Sequence, residues 1–227
     1  KMDLQALYLS IQLASLTVLI LVPLGVLMAH FFPSKNNIGS FAKEAMIALP
    51  LVLPPTVLGF YLLVGLGGNS WFGKWFEELT GQTLVFSFLG ILLASLIFNI
   101  PFVMMPIQRA FEAIPQDLRD ASSTCGLPPW QRLFKIEIPL ANKGIISAAV
   151  MTFTHTLGEF GVVLMMGGNI PGQTRTLSIA IYDSVQSLEM HNAAVMSLSL
   201  LVFSFVTLIF TQRLSLSNRD FQGNLKS

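Results

Sequence analysis

Apolar residues in this chain fall in long blocks that end at charged residues, not at helical or alternating spacing. Residues 4–34 lie between Asp3 and Lys35, residues 45–73 between Glu44 and Lys74, and residues 79–108 between Glu78 and Arg109. Residues 144–174 lie between Lys143 and Arg175 with Glu159 as an interruption, and residues 190–212 lie between Glu189 and Arg213. About 20 such residues span a bilayer as a helix, because hydrocarbon offers backbone groups no water partner. The pattern therefore predicts five spanning helices, near 7–31, 44–66, 84–106, 140–166 and 193–213. Residues 176–188 are mildly amphipathic but too short and polar to span, and predict a short outer-surface or re-entrant helix. Pro50, Pro54 and Pro55 crowd the second span. Each removes a donor and clashes with the preceding turn, so they predict either a packing kink or a break that lines a pathway. Pro101 and Pro106 are expected to end or bend the third span.

Composition agrees with an all-α integral membrane protein. Of 227 residues, 53% are hydrophobic and 11% charged, where soluble domains carry about 25% charged residues; mean hydropathy is +0.67. A net charge of +1 argues against a nucleic-acid partner. The single cysteine, Cys125, excludes an intrachain disulfide framework. No composition shift divides the chain, so residues 1–227 read as one membrane domain, with Met2 the expected natural start. The first block is too long for a signal-peptide core. With five spans, one set of loops holds Lys35, Lys43, Arg109, Arg119, Arg132, Lys135, Lys143, Arg213, Arg219 and Lys226, and the other holds Lys1, Lys74 and Arg175. That bias puts the first set in the cytoplasm, the N-terminus outside and the C-terminus inside.

The largest polar stretch, residues 107–143, is then cytoplasmic. Pro115 in a first turn, Asp117 after it and Gly126 as a stop predict a short helix over 114–126. A second should start at Pro128-Pro129 and run through Ile136, with Pro139 at the join to the fourth span. Two short helices exposing Ala121, Cys125 and Leu127 around a glycine turn would make a knob for a soluble partner. The segment Asp120-Ala121-Ser122, three residues, Gly126, nine residues, then Ile136-Glu137-Ile138-Pro139 resembles the cytoplasmic signature of ABC importer permeases. That signature runs Glu-Ala-Ala, Gly, Ile-x-Leu-Pro at the same spacing. Asp120, Ser122 and Ile138 depart mildly from it, and the shorter Asp120 weakens whatever contact the family's Glu makes. The resemblance implies a type I importer permease fold (MetI-like), in which residues 107–139 form the coupling loop gripped by an ATPase subunit.

Two further segments narrow the resemblance. Leu49-Pro50-Leu51-Val52-Leu53-Pro54-Pro55-Thr56-Val57-Leu58-Gly59, and Leu157-Gly158-Glu159-Phe160-Gly161 followed by Gly168 to Thr176, look like signatures of the molybdate permease family. Sulfate permeases share Gly-Glu-Phe-Gly but diverge in the Pro-Gly-x-Thr-Arg-Thr segment. The implied protein is a homodimer enclosing one pathway in a bacterial or archaeal cytoplasmic membrane. Two ATPase subunits would bind ATP and Mg below it, and an extracytoplasmic molybdate- or tungstate-binding protein would dock above. No cofactor or metal is expected in this chain itself. The spans carry no Arg or Lys that would trap a dianion. On this resemblance Pro50, Pro54, Pro55, Gly158, Glu159, Phe160 and Gly161 are pathway or gate candidates, and Pro171, Gly172, Thr174, Arg175 and Thr176 form an outer docking loop. Gly158, Gly161, Gly167 and Gly168 are expected to permit close backbone approach.

Glu159 is costly in lipid and is expected to pair or hydrogen-bond near the outer gate; His155, four residues earlier, is its expected partner. Arg175 reads as an interface anchor, a docking contact, or a tie that orders its loop. The run Gly68-Asn69-Ser70-Trp71-Phe72-Gly73-Lys74-Trp75 imitates a phosphate loop, but Trp75 stands where a magnesium-binding hydroxyl belongs. ATP hydrolysis is thus expected from another polypeptide. No His-Glu-x-x-His, Gly-x-Ser-Gly or paired intramembrane aspartate supports an enzyme. An ion-coupled carrier would show clearer inverted repeats with intramembrane ionisable groups.

Overall fold

The structure is a computed structural model that describes residues 3–31 and 38–224, without the side chains of 38–41, 43, 210–212 and 214–224. The expected start at Met2, and Lys35 and Lys226 of the charge bias, lie outside the described residues. Every regular element among those residues is helical. In chain order they are α1 (Leu4–Phe31), α2 (Ile38–Val52), α3 (Pro55–Leu66), α4 (Trp71–Thr80), α5 (Phe88–Glu112) and α6 (Gln116–Thr124). Then follow α7 (Pro129–Arg132), a π turn (Leu133–Glu137), α8 (Ile138–Gly158), α9 (Gly161–Gly167), α10 (Leu177–Gln186) and α11 (Met190–Asn224).

Four helical runs are long and apolar enough to cross a membrane: Leu4–Phe31, Phe88–Glu112, Pro129–Gly158 and Met190–Ile209. The pair Glu44–Val52 and Pro55–Leu66, bent by 108°, is apolar enough to form a fifth, broken span or a re-entrant loop. The expected helix over 44–66 is therefore interrupted, in line with its crowded prolines. Pro54 cannot donate to the ladder and holds an extended ψ of 133°, so α2 stops and α3 starts afresh with Pro55 at its first turn. Pro101 and Pro106 do less than expected: α5 runs through both to Glu112. It also starts later than residue 84, because Phe86 takes a φ of 62° and Ser87 caps the helix by accepting the Gly90 N–H. The fourth expected helix, 140–166, is two helices separated at Glu159-Phe160.

α1, α5 and α8 form the centre, with α9 and α11 packed on them. Lipid removes the hydrophobic drive between spans, so association rests on close packing of small residues. Ala14, Ala94 and Ala148, one on each central helix, are wholly buried. Leu13, Ile91, Val162 and Met166 make one apolar core, and Ile107, Leu133, Ala141 and Ala148 a second. One end gathers the start of α1, α4, α9 and α10: Phe86 N–H donates to Met166 O (2.8 Å) and Leu177 N–H to Ser10 Oγ (2.8 Å). The opposite end gathers the end of α1, the end of α5, and α6 and α7. α4 falls where only an outer loop was expected. Ser70 caps its start, Gly81 closes its end at φ 70°, and Trp71, Trp75 and Leu79 stay exposed, as aromatic rings do at a membrane boundary.

Candidate functional site

The segment resembling a coupling loop folds as an exposed helix on a sharp turn. Pro115 precedes α6, Asp117 sits in its first turn, and Gly126 closes the turn at φ 70°, a conformation that disfavours side chains with a Cβ. Asp120, Ala121 and Cys125 are exposed and Leu127 is half-buried, whereas Ser122 is buried and returns its hydroxyl to Arg119 O (2.6 Å). The second expected short helix does not stop at Pro139. α7 continues through the π turn into α8 as one run from Pro129 to Gly158. Pro139 has no N–H for the Lys135 carbonyl and its ring would crowd that group. The widened turn relieves this, with Ile138 N–H donating to Leu133 O instead. Ile136 and Ile138 are half-buried and Pro139 is exposed.

That turn buries Glu137, a residue that sequence reasoning passed over as the variable position of its motif. The Glu137 carboxylate is 2% exposed. Its Oε2 bonds His30 Nδ1 at the end of α1. Its Oε1 faces Arg119 Nε of α6 at 3.8 Å and Arg132 Nε of α7 at 3.4 Å, and neither Nε is in hydrogen-bond geometry. Arg119 also donates from Nη2 to Phe111 O (2.7 Å) near the end of α5. Phe31 and Trp130 pack edge to face beside this group, with centroids 5.2 Å apart.

The pathway candidates converge in part. Gly161 opens α9 directly against Pro55 and Thr56, where an added Cβ would sit 3.1 Å from the Pro55 Cβ. The proline break and the Gly-Glu-Phe-Gly break therefore meet, and α3 packs along α9. Pro54 and Pro55 are exposed on the single chain, Phe160 is half-buried and Pro50 is buried. Gly158 corrects an expectation: within the chain a Cβ there would meet nothing within 4 Å.

Glu159 is buried in a polar network between three helices. Its Oε2 accepts from Ser95 Oγ (2.7 Å) and Asn99 Nδ2 (3.2 Å) of α5, while Thr17 Oγ1 of α1 donates to Ser95 Oγ (3.3 Å). Glu159 Oε1 has no hydrogen-bond partner among the described residues. His155 does not reach Glu159. Its Nδ1 meets Asn99 Oδ1 at 2.9 Å, and because an amide oxygen only accepts, the imidazole must donate. The ring stacks on Phe102 at 3.8 Å. Ser95 and Asn99 lie four residues apart within an apolar block, a one-face spacing that could have pointed to them.

At the far end, Arg175 ties its own loop. Its Nε donates to Asn169 Oδ1 (2.8 Å) and its Nη2 pairs with Asp183 Oδ2 (3.0 Å). Asn169 Nδ2 closes the triangle on Asp183 Oδ1 (2.9 Å). Thr174 is buried and links Ile170 N–H (2.9 Å) to Gly167 O (2.6 Å). Thr176 is buried at the start of α10, whereas Pro171 and Gly172 are exposed. The glycine–lysine run near Gly68 serves α4: Ser70 Oγ accepts the Gly73 N–H at 2.8 Å.

A bundle of broken and bent spans with a projecting helix at one end matches known transporters. The fold resembles that of a bacterial alginate ABC transporter solved with an alginate-bound periplasmic protein, at a TM-score of 0.73 and 15% identity, over 95% of this chain and 78% of that one. The profile of the family "Binding-protein-dependent transport system inner membrane component" matches residues 21–219. These define the class, an ABC importer permease. Molybdenum transport system permease protein ModB of Azotobacter vinelandii is 44% identical over 98% of this chain and 97% of its own length. The Haemophilus influenzae ModB is 33% identical over 99% of each. Sulfate transport system permease protein CysT of Escherichia coli is more distant, at 28% over 81% of this chain and 66% of its own length. The chain belongs to the ModB family of inner-membrane transport permeases.

Proposed function

We propose that this chain passes molybdate, and tungstate with it, from an extracytoplasmic binding protein into the cytoplasm, driven by a separate ATPase subunit. The observation that carries the reading is the 44% identity to a molybdenum permease along essentially the whole chain. The unit is a homodimer with one pathway on its two-fold axis and two ATPase subunits beneath, which bind ATP and Mg. Each ATPase subunit grips the exposed face of α6, where Asp120, Ala121 and Cys125 are open to contact. The loop held by Arg175 and Thr174 offers an ordered surface to the binding protein. The meeting of the Pro54-Pro55 and Gly158 to Gly161 breaks lines the pathway, since unwound backbone in a membrane belongs beside a cavity or other protein. The α6 end faces the cytoplasm and the α4 end faces outward, following the basic-residue bias.

Reconstitution of the chain with its ATPase and binding protein in proteoliposomes tests this. ATP-dependent uptake of molybdate and tungstate is expected. A sulfate permease, which the CysT relatives and the shared Gly-Glu-Phe-Gly segment favour as the second reading, would take up sulfate in their place. Uptake that persists without any ATPase would identify an ion-coupled carrier. Orientation has its own test. In cells lacking the ATPase subunit, exposed Cys125 should react with an impermeant thiol reagent only after the cells are permeabilised, and Asn69→Cys in a Cys125→Ser background should react from outside. The reverse pattern overturns the topology.

A further inference from the structure

We propose that Glu137 is a positioning residue that carries movement of α6 into the membrane-spanning helices, a role that rests on the reading of α6 as the ATPase-gripped helix. α6 packs extensively along no other helix among the described residues, and Ser122 is its one buried side chain. What links its body to the bundle is Arg119. That side chain reaches Phe111 O near the end of α5 and Glu137 on the π turn. Glu137 in turn holds His30 at the end of α1 and faces Arg132 of α7. Four elements thus meet at one buried carboxylate.

The geometry suits a joint better than a plain staple. Two guanidinium Nε atoms approach the same Oε1, at 3.8 and 3.4 Å, and neither completes a hydrogen bond. A displacement of α6 moves the Arg119 guanidinium toward or away from that oxygen while Arg132, on α7, stays beside it. Packed interfaces of this kind switch between discrete arrangements and do not deform smoothly. The load then passes to a stiff lever, because the π turn runs unbroken into α8, and α8 packs on α1, α5 and α11. A rocking of α6 therefore reaches two central spans together, α1 through His30 and α8 through the main chain.

The test uses the whole transporter, permease with ATPase subunit and binding protein, in proteoliposomes. Molybdate taken up per ATP hydrolysed is measured for Glu137→Gln and for Arg119→Lys, which keeps the charge but loses the fork that reaches two acceptors. The ratio should fall by about tenfold, within the range of couplings carried by such networks, while the ATPase subunit still copurifies. A purely structural role would lower the amount of assembled transporter and leave the ratio per assembled molecule unchanged. A normal ratio in whichever of the two variants assembles overturns the inference. Ala121→Glu on the exposed face of α6 separates the two claims. If it leaves ATPase capture intact, the docking role of α6 fails. If it abolishes capture while Glu137→Gln keeps a normal ratio, the joint alone fails.

Discussion

Two buried carboxylates, Glu137 at the α6 end and Glu159 at the helix break, solve the same problem with different partners. Glu137 lies between two guanidinium groups and an imidazole drawn from three elements. Glu159 has a hydroxyl and an amide, both from α5, and one of its oxygens has no partner among the described residues. The first is an ion cluster whose members depend on one another. The second is a neutral-donor network that holds the end of α8 against α5. Breaking a buried ion pair leaves uncompensated charge, whereas loss of a neutral hydrogen bond leaves one unsatisfied group. Similar burial therefore implies unequal consequences for the two sites.

The same substitution at both sites puts this to the strongest test. Glu137→Gln should cost about 3 kcal/mol, the low end for breaking a buried pair, because Arg119 and Arg132 keep side-chain exposures of 21% and 26%. Thermal unfolding of the purified permease reads that loss. Next in size is Gly126→Val, which disturbs the α6 end without touching Glu137. A β-branched residue at φ 70° costs roughly 1–2 kcal/mol, and ATPase capture should fall while membrane insertion persists. Full transport and capture in Gly126→Val would remove the turn from the coupling path. Glu159→Gln should cost about 1 kcal/mol, since the amide oxygen can still accept from Ser95 and Asn99. A loss equal to that of Glu137→Gln would erase the distinction drawn here. The smallest effect belongs to Arg175, in a partly exposed pair whose side chains are 27% and 33% accessible. Arg175→Ala should cost about 0.5 kcal/mol, and Arg175→Lys nearly as much, because an ammonium cannot hold Asn169 and Asp183 together. Binding-protein affinity should drop in both variants; normal affinity in both would leave the triangle as local packing.

The contrast also marks what the residues disclosed beforehand. The long apolar blocks located the four long spans and the bent pair α2–α3, because the length of an uncharged run is a direct response to bilayer thickness. Pro54 announced a break but not its 108° angle, which depends on how α3 lies along α9. The break at Glu159-Phe160 was invisible to an apolar count, since Gly158 and Gly161 are common inside spans. Pro101 and Pro106 do not end α5, because neighbouring helices can support a ladder that lacks donors. α4 is not legible in the apolar blocks, because ten residues are too few for a span and its charged Lys74, Glu77 and Glu78 mark a boundary between blocks. Glu137 was hidden for a different reason. Its partner His30 is 107 residues away, and no local spacing encodes so distant a meeting. His155 and Glu159 show the converse: correct spacing on one face, yet Asn99 stands between them as the shared partner.

The π turn also explains a constraint on chain length. Each residue added to or removed from a helix rotates everything beyond it by about 100°. Deleting one residue of the helical run between Pro129 and Ile136 would rotate α6 and Arg119 relative to Glu137. The number of residues in that interval therefore works as an angular phase. That constraint on number adds to the one on identity, since Arg132 and Leu133 within the interval are held by Glu137 and by the core.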